Sequence, residues 1–334
     1  MSELRKDPIV RRWVILAPSR NQRPSDFAKA TPTLPVPGAP CPFDMGNERY
    51  TPPEILAYRE PGSAPNGPGW TVRVIPNKFP ALRVEEPLER HAEGLFERMT
   101  GVGAHEVIVD SPDHDKELSE QSEEQIEKVL RGYRERIADL SRDQRLRYAL
   151  VFRNHGERAG ASLVHGHSQL IATPIVPQVV AEELEGCRAH HERTGRCVYC
   201  DMIDQERRSG ARVVRECDRL IAIQPFAARY PFETWILPRR HAAAYETTEP
   251  EDLAALASML RDMLARIGRA LNRPHYNYVL HTAPFREPDL AHYHWHLEIT
   301  PQRTATAGFE WGSGFFINPT PPEEAAAYLR GIRS

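Results

Sequence analysis

The 334-residue chain lacks a long hydrophobic run near its start and lacks an excess of charge of either sign. The longest apolar stretch there, Trp13 to Leu16, is enclosed by Arg11, Arg12 and Arg20, which excludes a signal h-region and a membrane span and leaves the cytosol as the expected compartment. With 43 Lys+Arg against 46 Asp+Glu the net charge is −3, so neither a basic nucleic-acid-coating surface nor an acidic tail is indicated. An anionic ligand must then be met by a few local groups. Cysteines number only five, Cys41, Cys187, Cys197, Cys200 and Cys217. In a reducing compartment disulfides are a poor explanation for them, which leaves metal binding or burial. A Walker phosphate loop and a Gly-x-Gly-x-x-Gly following a strand are both missing, so kinase and dehydrogenase readings have no foothold.

What is present in excess is proline, 30 residues in a chain of ordinary 40% hydrophobic content. Pro-rich stretches at Thr31–Pro42 and Glu60–Gly69 are expected to be loops. Short β-branched or aromatic runs predict strands near Thr71–Ile75, His105–Asp110, Tyr148–Asn154, His165–Thr173, Leu220–Gln224, Glu233–Leu237, Tyr276–His281 and Tyr293–Thr300. Ile126, Leu130, Tyr133, Ile137 and Leu140 recur at helical spacing, as do Leu253, Leu256, Leu260, Met263 and Ile267, so each set forms one apolar stripe on an amphipathic helix.

Both helices fall between the same kinds of strand, which points to internal duplication. In the first half Cys41-Pro-Phe-Asp44 precedes Glu106, His114 lies eight residues further on, and a helix then leads to His165-Gly-His167-Ser-Gln169. In the second, Cys197-Val-Tyr-Cys200 precedes Glu233, His241 lies eight residues further on, and a helix leads to His294-Trp-His296-Leu-Glu298. The chain is therefore expected to be two copies of one α+β unit, residues 1–176 and 177–334.

In a strand, alternate side chains share a face, so His165, His167 and Gln169 are expected on one side with Gly166 and Ser168 on the other. A pair of satisfied strand histidines, or a metal-hydrolase pair, is the plain alternative. The preceding segment favours an anion site, because Asn154 and Ser162 offer neutral donors while Gly156 and Gly160 permit close backbone approach.

These residues, with Cys41-Pro-Phe-Asp44-Met-Gly46-Asn47-Glu48, Asn77-Lys-Phe79-Pro80 and Ser111-Pro-Asp-His114, resemble the galactose-1-phosphate uridylyltransferase family of the histidine-triad superfamily over most of the chain. The stretch Phe309-Glu310-Trp-Gly-Ser-Gly-Phe-Phe-Ile-Asn318 looks closer to the ADP-glucose phosphorylase branch. The resemblance implies tandem histidine-triad-like units, an antiparallel sheet flanked by helices. It also implies a nucleotidyltransferase of carbohydrate metabolism, with a nucleotide sugar and a sugar 1-phosphate as partners and a homodimer as its assembly. His167 would be the nucleophile, forming a nucleotidyl-histidine in a ping-pong reaction. Gln169 would bind phosphate without acting as a general acid for water, favouring transfer over hydrolysis. By the same resemblance Arg20 and Arg23 would hold phosphate, Asn77 and Phe79 the nucleoside, and Glu310 the hexose. UDP-glucose:galactose-1-phosphate uridylyl transfer is the simplest activity; AMP transfer from ADP-glucose to phosphate is the alternative, favoured by Lys78 where uridylyltransferases often carry Asp. A non-catalytic nucleotide- or zinc-binding protein is the reading from another class.

Zinc takes about four soft or borderline ligands in a tetrahedron. Family members that bind zinc imply a second-half site at Cys197, Cys200, His241 and His294, and a first-half site at Cys41, Asp44, His114 and His165. There Asp44 departs from the expected Cys and makes the set harder. Other members imply an iron site at Glu183, His281, His294 and His296, which competes for His294. Cys187 and Cys217 have no partners in the pattern.

Overall fold

The computed structural model describes residues 2–17, 40–302 and 307–332. Arg20 and Arg23 lie outside the described residues. In chain order the first half contains β1 (Glu3–Lys6), β2 (Trp13–Leu16), β3 (Leu56–Arg59), β4 (Trp70–Pro76), β5 (Arg90–Glu93), β6 (Phe96–Thr100), β7 (Ala104–Val109), α1 (Glu123–Leu140), β8 (Tyr148–His155) and β9 (His167–Thr173). The second contains α2 (Gln178–Thr194), α3 (Val198–Ser209), β10 (Val213–Glu216), β11 (Leu220–Ile223), β12 (Thr234–Pro238), α4 (Pro250–Ala270), β13 (Tyr276–His281), β14 (His296–Pro301), α5 (Gly308–Ser313) and α6 (Pro322–Gly331).

Ten of the strands form one antiparallel sheet in the order β10-β11-β12-β14-β13-β8-β9-β7-β4-β3. Outward from the centre the two arms repeat, β8-β9-β7-β4-β3 against β13-β14-β12-β11-β10, and the join is β8 with β13, where Asn154 sits opposite Asn277. In each arm the long helix connects the third strand from the centre to the first. This is the duplicated α+β arrangement expected from the repeat. A separate four-stranded sheet, β2-β1-β6-β5, was not anticipated.

The apolar stripes decide where the helices go. α1 begins at Ser122, whose hydroxyl accepts the Gln125 N–H, and α4 begins at Pro250, where no helical N–H is needed. Ile126, Leu130, Tyr133 and Ile137 of α1 and Leu256, Leu260 and Met263 of α4 share one buried core with Val74, Ile108, Leu170, Ile236 and Leu297 of the sheet. Each such side chain contributes about 1.5–3 kcal/mol on burial. Leu130→Ala would remove one of these buried side chains and leave a cavity between α1 and the sheet, at about 2–5 kcal/mol.

Both helices cover one face of the sheet. Beneath the opposite face of the first arm lie Phe43, Trp70, Ile75, Val107 and Val109, and beneath the second arm α2 and α3 pack on Ile221, Ile223 and Leu237. No helix among the described residues is long and apolar enough to cross a membrane.

Two expected strands start late. The first begins at His167 rather than His165, and the second at His296 rather than Tyr293. His165 and His294 therefore sit in irregular backbone just before the pleat and do not follow its alternation.

Candidate active site

β7 and β9 are neighbours, with Val107 opposite Gln169 and Val109 opposite His167. Strand alternation sends Ser168 and Leu170 toward α1, where Ser168 Oγ hydrogen-bonds the Tyr133 hydroxyl. His167, Gln169 and Ile171 face the other way, into a cavity of about 630 Å³. Ile75 of β4, Val107 of β7 and Phe152 of β8 form its floor in register with Gln169, and Phe43, Asn77, Phe79, His105, Asn154 and Ser162 complete the wall.

His167 is the most constrained group there. Its Nδ1 donates to the carbonyl oxygen of His165 at 2.8 Å, so the proton of the neutral ring sits on Nδ1 and Nε2 carries a lone pair. Burial, the largest cause, together with the neighbouring Arg153 guanidinium, holds its pKa below the ordinary histidine range. The ring is thus a neutral imidazole at physiological pH, with Phe43 edge-on at 5.3 Å between centroids.

Gln169 is held by side chains from two other segments. His105 Nε2 lies 2.8 Å from Gln169 Oε1 and Asn77 Nδ2 lies 3.5 Å from the same oxygen. The Asn77 amide is oriented in turn, because its Oδ1 accepts the Phe79 N–H at 2.9 Å. Asn77, expected on the nucleoside, therefore spends a donor on Gln169, while Phe79 is 52% exposed on the cavity wall. Asn154 Oδ1 accepts from Asn277 Nδ2 at 2.8 Å. Gly156, expected to admit a phosphate, has another reason to be glycine. Its φ is +84° and a Cβ there would lie 2.4 Å from the His275 ring.

Two expected members of the site are elsewhere. His165 turns Nδ1 to Asp44 at 3.1 Å and Nε2 to the Ser111 carbonyl at 2.8 Å, leaving neither nitrogen for the cavity. Glu310, in α5, accepts from the Ala307 N–H and does not line the cavity in this chain. Conversely, His105 was missed as a site residue. The signal existed, since His105 and Val107 alternate on β7 toward the same side as Gln169. The repeat landmarks Glu106 and Glu233 are structural, the first in a bidentate buried pair with Arg136 and the second paired with Arg229.

Three groups of side chains bring potential metal ligands together, each with its ligand atoms within 4.8 Å of one another. In the second half these are Cys197, Cys200, His241 and His294. His241 and His294 turn Nδ1 toward Cys200, at 3.5 and 3.8 Å, and give Nε2–H to the carbonyls of Leu290 and Pro238. Those outer bonds place the lone pairs on Nδ1, the arrangement a metal-binding imidazole needs. A hydrogen bond with Cys200 and the neighbouring His294 draw the Cys197 thiol below its ordinary pKa despite burial. This donor set fits zinc. The first-half group is Cys41, Asp44, His114 and His165, where Asp44 Oδ1 lies 2.7 Å from His114 Nδ1 and 3.1 Å from His165 Nδ1. The carboxylate stands where a second thiolate would, so this set also fits, with a harder ligand.

The third group corrects the expected iron set. It consists of Glu183, His281, His296 and Glu298, without His294. His294 precedes β14 and is committed to Cys200 and Pro238, whereas Glu298, two residues after His296, shares its strand face. His296 is the counterpart of His167 and also bonds the carbonyl two residues back, to His294 at 3.1 Å. Its ring is fully buried, with Tyr199, Trp235 and His281 at 5.0, 5.5 and 4.8 Å, and burial takes its pKa down to about 4.

Duplicated arms sharing one sheet, with a neutral histidine facing a cavity in the first of them, define the class of fold and site. The chain belongs to the galactose-1-phosphate uridyl transferase family, whose N-terminal domain matches residues 1–177 and whose C-terminal domain matches residues 183–326. An ADP-glucose phosphorylase of Arabidopsis thaliana is 38% identical over 99% of this chain and 93% of its own length. A galactose-1-phosphate uridylyltransferase of Thermotoga maritima is 29% identical over 99% of this chain and 98% of its own. The crystal structure of the Arabidopsis thaliana phosphorylase with bound ADP-glucose superimposes with a TM-score of 0.77 at 36% identity, covering all of both chains. A uridylyltransferase structure gives 0.83 at 32%, covering 98% of this chain and 97% of that one.

Proposed function

We propose that this protein transfers a nucleoside monophosphate from a nucleotide sugar to a phosphate acceptor through a covalent nucleotidyl-His167. The observation that carries the reading is the Nδ1–H bond to His165 O beneath a buried ring, which leaves the Nε2 lone pair facing the cavity. In the first half-reaction Nε2 attacks the α-phosphorus, a P–N bond forms, and the P–O bond to the sugar phosphate breaks with its electron pair leaving on hexose 1-phosphate. That leaving group needs no protonation near neutral pH. The proton stays on Nδ1, donated to the His165 carbonyl oxygen, and that hydrogen bond supports the positive charge that develops on the ring. In the second half-reaction an acceptor phosphate oxygen attacks phosphorus and the P–N electron pair returns to Nε2. Gln169, Asn154 and Ser162 supply neutral donors to phosphate, with Arg20 and Arg23 proposed as its cationic partners.

Of the two family activities, adenylyl transfer from ADP-glucose to phosphate has the better support. The Arabidopsis thaliana phosphorylase is the more similar relative, at 38% against 29% identity, and Lys78 and the Phe309–Asn318 stretch agree. Uridylyl transfer between UDP-glucose and a hexose 1-phosphate is the second reading, favoured by the 0.83 TM-score with a uridylyltransferase. Phe79 would contact the base. The cysteine–histidine and cysteine–aspartate groups would hold zinc as a structural ion, tying the segments that carry His165 and His294. We place the unit boundary at residues 176 and 177, and the protein in the cytoplasm. We propose Glu310 as a contact to the hexose from a second copy of the chain, and the exposed Phe309, Trp311, Phe315 and Ile317 around it support such a homodimer.

The test is the mass of the labelled protein. After incubation with ADP-glucose or UDP-glucose and denaturation, an AMP adduct on His167 supports the first reading and a UMP adduct the second. Fully metallated protein that forms neither overturns covalent transfer; chelator-sensitive hydrolysis in that case would indicate a metal hydrolase, and tight binding without turnover a non-catalytic module.

A further inference from the structure

We propose that His105 is a positioning residue that fixes which way the Gln169 amide points, turning its –NH2 into the cavity. The inference rests on nucleotidyl transfer at His167 and names a further part of that site.

Two main-chain N–H groups set the chain of bonds. The Ala81 N–H donates to His105 Nδ1 at 3.1 Å, so Nδ1 carries a lone pair and the neutral ring has its proton on Nε2. The Phe79 N–H donates to Asn77 Oδ1 at 2.9 Å, so Asn77 presents its –NH2. Both resulting donors, His105 Nε2–H at 2.8 Å and Asn77 Nδ2–H at 3.5 Å, meet at Gln169 Oε1. They lie 3.2 Å from each other, and as two donors they do not bond to one another. Were the Gln169 amide flipped, three N–H groups would converge with no acceptor among them, a costly arrangement for the buried His105. The oxygen is therefore held on the His105 side and the amide nitrogen is left for the cavity.

The sheet makes this geometry stiff. Val107 is directly opposite Gln169, so His105, two residues earlier on β7, is its diagonal neighbour on the same face. The consequence is chemical. A phosphate offers only acceptors, so a Gln whose oxygen faced it would repel the substrate, whereas a pre-oriented –NH2 needs no reorganisation as charge develops on the transferring phosphorus. In a chain of net charge −3, with few cations to spare for the anion, the orientation of one neutral amide matters.

Four measurements test the assignment. Long-range ¹H–¹⁵N NMR of the unmodified protein is expected to give the Nε2–H tautomer for His105; the Nδ1–H tautomer overturns the proposal without any variant. His105→Asn keeps an acceptor for the Ala81 N–H but loses the donor to Gln169, and is expected to slow nucleotidyl-His167 formation about 10- to 100-fold with KM changed less than about threefold. His105→Gln, which restores a donor near the Nε2 position, is expected to recover most of that rate. In a Gln169→Ala background, His105→Asn is expected to have no further effect, because its influence passes through Gln169. The same loss in both backgrounds, or full activity of His105→Asn, overturns the inference while leaving transfer intact. An unmodified protein that forms no adduct overturns the transfer reading and the inference with it.

Discussion

The Nδ1 of His167 lies 2.8 Å from the carbonyl oxygen of His165, two residues earlier in the same segment. The bond fixes the tautomer from within the His-x-His sequence itself, and His296 repeats it with His294. His167 opens on a cavity, whereas His296 is fully buried. His167→Gly is therefore expected to abolish the nucleotide adduct and reduce transfer at least about a thousandfold. His296→Asn is expected to leave adduct formation on His167 in place. Mass spectrometry of both variants after incubation with nucleotide sugar checks the pair, and adduct on the His167→Gly protein would contradict the assignment.

Under the proposed transfer, Gln169 would decide what the intermediate reacts with. Replacing the amide by an imidazole in Gln169→His introduces a group able to exchange protons with water. Hydrolysis of the nucleotide sugar without acceptor is expected to rise about tenfold or more while transfer to phosphate falls. Product analysis with and without acceptor decides this; an unchanged hydrolysis-to-transfer ratio would count against it.

The two cysteine-containing metal groups differ by one ligand atom type. The group with Cys197 and Cys200 is expected to retain zinc against a chelator longer than the group with Asp44, giving release in two steps. Asp44→Cys is expected to merge the steps by strengthening the weaker site, and Cys197→Ser to remove one ion per chain and lower Tm. A colorimetric zinc-release assay follows both, and a single step from the unmodified protein would argue against two unequal sites.

Arg136 and Glu106 form a bidentate pair that is almost completely buried between α1 and β7. Arg136→Met leaves the Glu106 carboxylate without its partner and is expected to cost about 3–5 kcal/mol. Adding Glu106→Leu is expected to recover most of that, which denaturant midpoints of the single and double variants would show. An additive loss would mean that the pair acts through packing alone.

His155, three-quarters buried and stacked on Tyr276 at 4.7 Å, has its pKa taken down to about 4 by burial and by Arg153, with Glu117 at 3.8 Å too weakly placed to offset this. The unfolded chain then binds a proton near pH 6.5 that the folded chain refuses until about pH 4. Its contribution to stability is fully present above pH 6.5 and is lost as pH falls through that window, by no more than about 3 kcal/mol. Urea midpoints at pH 7 and pH 5 are expected to fall more for the unmodified protein than for His155→Gln, and equal falls would assign the effect to other groups.

Local patterns made much of the fold legible. The two helical stripes, the core strands of both arms and the order Cys, Glu, His, His-x-His were enough to reveal the duplication, because burial on one face imposes periodicity on each copy independently. The small sheet β2-β1-β6-β5 escaped, since its strands are short and half of their residues meet solvent. The strand starts before His167 and His296 were placed too early, because a run of alternating residues does not reveal where the pleat begins.

What the sequence alone supplied, through the family its short motifs resemble, is the nucleophile candidate, its amide neighbour and the two expected sets of cysteine-group ligands. Tertiary structure decided the rest. Whether His165 faces the cavity or Asp44, whether Glu298 or His294 completes the third group, and that His105 on a neighbouring strand orients Gln169 all depend on which segments meet across the sheet. A hydrogen bond between residues 64 positions apart is set by strand register and by the two main-chain donors of Phe79 and Ala81, and no local pattern encodes that meeting.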